Sequence, residues 1–164
     1  KYVYKKYLYI KKLMVFRKNI QEFLKNTEIA VIGASSNSKK FGNIVLKKLH
    51  NTGYCVFPVN PKETEILGIS CYKSIADLPD TVKTAVFITQ PEITEQIMKD
   101  ICSMKIIKAI WFQPGSENKN AIEISIKNVK NVIYDECIMM HLKPLSFPHN
   151  THKFINVIFG KYPK

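Results

Sequence analysis

The chain reads as an α/β protein built on one doubly wound, mainly parallel sheet of five strands with helices on both faces. Two observations carry that reading. Short apolar runs recur at Glu28–Ile32, Cys55–Val59, Thr84–Ile88, Ala109–Phe112 and Asn131–Tyr134, separated by stretches of helical period and by turn residues. Strands that alternate with helices pair in parallel through right-handed crossovers. At 164 residues and 46% apolar content, the chain has the length of one domain and enough apolar material for one core.

Each element follows from its residues. Ile20, Phe23 and Leu24 are spaced i, i+3, i+4, so a short helix precedes the first strand, ends near Asn26 and covers a sheet edge or face. Gly42 to Thr52 forms the next helix, with Val45, Leu46 and Leu49 inward, Lys47 and Lys48 outward, and Gly53 as its stop. Pro58 and Pro61 frame Asn60 as an extended exit from the second strand. A loop with one helical turn around Ser74–Leu78 leads to the third strand. Pro91 and Glu92 open a helix whose Ile93, Ile97, Ile101 and Met104 share a face. The turn Gln113–Ser116, a helix from Glu117 to Asn128 and a fifth strand complete the pattern. By analogy with Rossmann-like folds the strand order is 3-2-1-4-5, with the ligand crevice beyond the carboxyl end of the first strand, beside Gly33 and Pro91.

Two places in that crevice point to a nucleotide. Gly33-Ala34-Ser35 removes side-chain bulk where a backbone must approach a diphosphate, and leads into a helix whose unpaired N–H groups and dipole favour negative charge. At the end of the second strand, where NAD enzymes carry an acid for the ribose hydroxyls, stand Asn60 and, two residues on, Lys62. An amide and an ammonium suit a phosphorylated ribose better.

Composition narrows the partners. The formal charge is +12, but residues 1–28 hold eight basic groups against Glu22 and Glu28, so half the excess belongs to an N-terminal arm. One arginine, Arg17, among 25 basic residues argues against nucleic acid, because base readout and bidentate phosphate recognition favour the guanidinium fork. Cys55, Cys71, Cys102 and Cys137 have no CxxC or Cys/His metal spacing, and read as reduced thiols of an intracellular, cytoplasmic protein. No stretch approaches the roughly 18 apolar residues of a membrane span. Residues 1–16, with four tyrosines among five lysines, form either a basic amphipathic segment for a membrane or partner, or an extension packed on this domain or on a second copy in a homo-oligomer. The start at Lys1 reads as trimmed or processed. The expected organisation is a basic arm with a short helix over 1–26, a nucleotide domain over 27–142, and a tail over 143–164 that packs on the domain, with an extended segment at Phe154–Phe159.

In chain order, Gly33-Ala34-Ser35, Pro58-Val59-Asn60-Pro61, Ile66-Leu67-Gly68, Cys71-Tyr72, Asp77-Leu78-Pro79, Trp111-Phe112-Gln113-Pro114-Gly115 and Asp135-Glu136-Cys137 resemble the small stand-alone CoA-binding domain family, which is related to the CoA-binding domain of the succinyl-CoA synthetase α subunit. The likeness runs from about Thr27 to Leu142. It implies a Rossmann-like domain that holds coenzyme A or acyl-CoA without an assigned reaction. Carried over by motif, Gly33, Ala34 and Ser35 line the diphosphate, with Lys39, Lys40, Phe41 and Gly42 in the following turn. Asn60 and Pro61 border the adenosine end, Lys62 is the candidate for the 3′-phosphate, and Thr89, Pro91, Gln113 and Gly115 flank the exit of the pantetheine arm. The loop Ser36–Lys40 is a lysine-rich version of a variable segment, so the individual phosphate donors there stay open.

Plainer roles stand beside these. Lys39 and Lys40 also fit a solvated loop, and Glu63 and Glu65 are placed to neutralise Lys62. Trp111 reads as a core ring, and its neighbours Phe112 and Gln113 are not expected to face inward together. Cys137 is either a small buried residue or a partner for a CoA thiol in a mixed disulfide. His141 has no nucleophile and acid around it, and no histidine, including His50, His149 and His152, has metal spacing. Two other functions remain: an NADP-dependent reductase in which Lys62 meets the 2′-phosphate, and an interaction module working through the basic arm.

Overall fold

The computed structural model describes residues 16–104 and 107–142. The expectations for residues 1–15, for the tail over 143–164 and for His149 and His152 lie outside them. A helix over 16–24 (α1) leads into β1 (Glu28–Ile32), α2 (Phe41–Asn51) and β2 (Cys55–Val59). A hairpin of β3 (Glu65–Ile66) and β4 (Ile69–Ser70) and a 3₁₀ turn (Ile75–Asp77) follow. The chain continues through β5 (Thr84–Phe87), α3 (Pro91–Met104), β6 (Ala109–Phe112), α4 (Lys119–Asn128), β7 (Asn131–Ile133) and a second 3₁₀ turn (Ile138–Met140). Gly53, at φ +92°, stops α2 by returning its N–H to His50 O at 3.1 Å. Glu117 lies before α4 rather than in it, because Asn118 caps that helix by accepting from Ala121 N–H at 2.8 Å. The β3–β4 hairpin was not anticipated; its turn residues Leu67 and Gly68 both have positive φ, the geometry of a tight two-residue connection.

The five-stranded sheet is parallel throughout, in the order β2-β1-β5-β6-β7. This corrects the expected 3-2-1-4-5: the third strand of the sheet pairs with the free side of β1, Ala30 opposite Ala85, and β2 lies at the edge. Pro58 explains the edge position. It has no N–H for a second neighbour, and the outer side of β2 receives only the bridge between Val59 and Tyr72. The sheet therefore reverses direction of growth between β1 and β5, so the crevice opens at the carboxyl ends of those two strands.

Both faces of the sheet are covered, so each strand position chooses between two cores rather than between core and water. On one face Ile29, Val31, Trp111 and Ile133 pack with Phe23 of α1 and with Val45, Leu46 and Leu49 of α2. On the other, Ile32, Phe87, Ile110 and Phe112 pack with Met98 and Ile101 of α3 and Ala121 of α4. For this reason Phe112 and Gln113 are both buried, at 0% and 1% exposure, against expectation. Trp111 is a core ring: Phe23 meets it edge-on at 5.4 Å and its indole N–H donates to Glu136 O at 2.7 Å. Lys48 also departs from expectation. It is buried on the flank that carries Val45, an arrangement its long aliphatic stem permits.

Helix α3 is rotated from the face its periodicity indicated. It buries Thr94, Met98 and Ile101, while Ile93 and Met104 are exposed. The hydroxyls of Thr94 and Thr89 lie 2.7 Å apart, which holds the helix start to the β5 exit. Ile93, Ile97 and Met104 are thus left along a cavity described below.

Helix α2 begins in backbone contact with the β1 exit. A Cβ on Gly42 would lie 2.2 Å from Gly33 O, so a side chain there moves the helix. Gly42→Ala is expected to lower the unfolding free energy by about 3 kcal/mol, the upper part of the overpacking range. Urea unfolding at unchanged m-value measures it, and a loss below about 1 kcal/mol would show that the helix shifts freely.

Candidate nucleotide-binding site

The turn after β1 is built from backbone and short side chains. Gly33 has φ +88°, and a Cβ on it would meet Thr89 Cγ2 at 2.9 Å, so bulk is excluded by conformation and by space. Its N–H donates to Val59 O at 3.0 Å, which ties the turn to β2. Ala34 and Ser35 are buried and serve as frame. Asn43 Nδ2 donates to Ser35 O at 2.7 Å, and Ser35 Oγ accepts from Asn37 N–H at 3.2 Å. The N-cap of α2, Lys40, supplies no capping side chain, and no acid stands in the first turn. The positive end of the helix dipole is therefore left for an external anion.

The exit of β2 is tied to that turn. Asn60 Nδ2 donates to Ala34 O at 2.7 Å and Asn60 Oδ1 accepts from Lys62 N–H at 2.9 Å. These bonds use one N–H and one oxygen lone pair of the Asn60 amide to hold two loops together, and leave its other N–H and lone pair unused by them. Glu63 accepts from Ser36 Oγ at 2.7 Å and Ser36 N–H at 3.3 Å, bonds that hold its carboxyl below the ordinary range, with help from Lys40 and Lys73. Lys73 Nζ donates to Glu63 O at 2.8 Å. Neither Glu63 nor Glu65 forms an ion pair with Lys62 among the described residues, so the expected neutralisation is absent.

Two cavities adjoin at Thr89, which lines both. The larger, of about 550 Å³, is bordered by Gly33, by Asn60, Pro61 and Lys62, by Lys73–Ala76, and by Ile93, Ile97, Asp100 and Met104 of α3; Lys40 stands at its rim. Three lysines, Lys40, Lys62 and Lys73, and one acid, Asp100, thus line one largely apolar space. The smaller, of about 230 Å³, is lined by Phe41, Ile88–Pro91 and Gln113–Ser116. Of the residues singled out in the sequence, Gly33, Lys40, Phe41, Asn60, Pro61, Lys62, Thr89, Pro91, Gln113 and Gly115 line one cavity or the other. Ala34, Ser35, Lys39 and Gly42 line neither. Lys73–Ala76 and the α3 stripe were missed; the only signal for the stripe was that α3 carries more large apolar residues than one buried face uses.

Four further polar residues are Gln113, Glu117, Cys137 and His141. Gln113 is 1% exposed and neither Oε1 nor Nε2 has a hydrogen-bond partner. Burial raises the pKa of Glu117, with the Asp135 charge adding to it, although the carboxyl accepts from the N–H groups of Ser116, Glu117 and Asp135. Cys137 lines neither cavity; it is 5% exposed and its thiol is pushed up by burial. His141 Nε2 lies 3.1 Å from the Glu136 carboxylate, and its ring meets Trp111 at a tilt of 54° with centroids 5.4 Å apart.

A parallel sheet, a glycine turn at its switch point and a cation-flanked cavity define a nucleotide-binding α/β domain. Residues 27–143 match the family described as CoA binding domain, and the chain belongs to that family. It is 31% identical over 141 residues to an ADP-forming acetate–CoA ligase of Methanocaldococcus jannaschii, a match that covers 81% of this chain and 19% of that one. It is 32% identical over 141 residues to the α subunit of the ADP-forming acetate–CoA ligase II of Pyrococcus furiosus, covering 80% of this chain and 29% of that subunit. The chain therefore spans less than a third of these relatives. Among solved structures, a conserved hypothetical protein of Pyrococcus furiosus superposes with TM-score 0.65 at 38% identity, over 70% of this chain and 97% of that one. A hypothetical protein of Pyrococcus horikoshii gives TM-score 0.70 at 32% identity, over 75% and 87% respectively.

The raised pKa of Glu117 makes a pH prediction. A carboxyl whose folded value lies above its ordinary 4.5 contributes stability that is complete below that value and is lost as pH rises through the raised one. Glu117→Gln keeps an acceptor and removes the charge. Its melting temperature should exceed that of the wild type at pH 7 and meet it at pH 4; an equal difference at both would exclude the ionised carboxylate as the cause.

Proposed function

We propose that the chain binds coenzyme A or an acyl-CoA without reacting it, as a carrier, sensor or regulatory module. The observation that carries this is the pair of cavities joined at Thr89 beside an uncapped helix end. A ligand with a phosphorylated nucleoside at one end, a diphosphate in the middle and a long arm at the other matches that shape. The adenosine part occupies the larger cavity, with Lys40, Lys62 and Lys73 for its phosphates, and the arm enters the smaller one. The named activity of the ligases also supports CoA as the ligand, since this chain matches one segment of them.

Magnitudes allow a useful affinity. Charge-assisted hydrogen bonds contribute about 1.5–3 kcal/mol each. Three of them together with the helix terminus reach the roughly 8 kcal/mol of a micromolar complex if the frame is preorganised, and the Asn60, Asn43 and Glu63 ties preorganise it.

Thermal denaturation with CoA tests the reading: ligand at 100 times its dissociation constant adds about 2.7 kcal/mol to stability and raises the melting temperature. No shift at millimolar CoA or acetyl-CoA would overturn it, and a shift with NADP alone would favour the reductase. Within the site, Lys40→Ala should weaken CoA and dephospho-CoA alike, whereas Lys62→Ala weakens CoA selectively. Titration calorimetry measures both, and equal losses in the Lys62 variant would remove it from the 3′-phosphate.

A further inference from the structure

Resting on the CoA reading, we propose that Gln113 is a specificity residue that recognises an amide in the ligand's arm, and that recognition ends before the thiol. The observation is that Gln113, one of the residues lining the smaller cavity, holds a buried carboxamide with neither end bonded. Buried amides are almost always paired, so one left open at a ligand cavity identifies the group it awaits. A phosphate or a thioester carbonyl accepts only, and leaves Oε1 unpaired. A secondary amide offers a carbonyl to Nε2 and an N–H to Oε1 together, which satisfies both ends.

Register supplies the distance. Ile32, Phe87 and Phe112 are aligned across β1, β5 and β6, so Gln113 follows β6 at the level at which Gly33 follows β1. Two inter-strand steps put them about 10 Å apart. An extended chain advances about 1.2 Å per bond. Counted from the inner phosphorus, the two amides of a pantetheine arm lie about 7 and about 12 Å out, and the sulfur about 16 Å. Either amide is within reach of the Gln113 side chain; the sulfur is carried past β6, toward the edge of the sheet. The ligand class is therefore the pantetheine-bearing nucleotide, with its acyl group unread.

Gln113→Met keeps length and removes both polar ends. Calorimetry on the full chain with CoA, acetyl-CoA and 3′-phospho-ADP, which lacks the arm, separates the outcomes. Wild type should bind CoA and acetyl-CoA within about twofold of each other. The variant should bind CoA about tenfold more weakly, bind 3′-phospho-ADP as before, and melt at a higher temperature without ligand, because an unpaired buried amide has been replaced by an apolar group. Gln113→Ala, which needs no new packing, should show the same split between ligands. Unchanged CoA affinity in both variants, or equal losses for CoA and 3′-phospho-ADP, would overturn the role of Gln113. A tenfold preference between CoA and acetyl-CoA would overturn the claim that the thiol end is unread. If wild type binds neither CoA nor 3′-phospho-ADP, the CoA reading itself fails and takes this one with it.

Discussion

The backbone of Gly42 rests on the carbonyl of Gly33, and most of what the crevice offers depends on that contact. With 2.2 Å between a Cβ on Gly42 and Gly33 O, no other residue lets α2 start so close to the end of β1. The closeness aims the first turn of the helix across the switch point, where an uncapped terminus attracts negative charge. On the far side a Cβ on Gly33 would meet Thr89 Cγ2 at 2.9 Å, a looser approach but still too close for a side chain. Gly33 lines the larger cavity, and Thr89, on the other side of this narrow waist, lines both.

Around the waist the labour is divided between framing and contact. Ala34, Ser35, Asn43 and Asn60 are spent on each other, so the turn and the β2 exit form one body before any ligand arrives. Lys40 and Lys62 make no ion pair among the described residues and remain available to phosphate. Two carboxylates offset part of their positive field: Asp100 lines the larger cavity, and Glu63, bonded to Ser36, fixes the shape of the loop. Binding energy used to organise flexible loops is lost to affinity, so a frame closed in advance favours the proposed phosphate contacts.

Much of this was legible in the sequence, and the failures have physical causes. Strands and helices appeared where their periods are long and clean, as at Glu28–Ile32 and Phe41–Asn51. Strand order did not follow from periodicity, yet Pro58 held the answer, since a residue without an N–H belongs on an edge strand. The face of α3 was misjudged because Ile93, Ile97 and Met104 look like core until a cavity is known to need walls. Lys73–Ala76 reach the site only through the path of a loop, which no local pattern encodes. Gln113 was noticed by motif, but its burial without a partner is a property of the packed sheet alone.

The central claim is spatial: a diphosphate at the Gly33–Gly42 waist, adenosine to the side of Lys40, Lys62 and Lys73, and the arm over Thr89 toward Gln113. A crystal structure of the protein with CoA measures it directly. The account predicts phosphorus atoms within hydrogen-bonding range of the first turn of α2, the 3′-phosphate against Lys62, and a pantetheine amide on the Gln113 carboxamide. Density for CoA elsewhere on the domain, with both cavities empty, would contradict it.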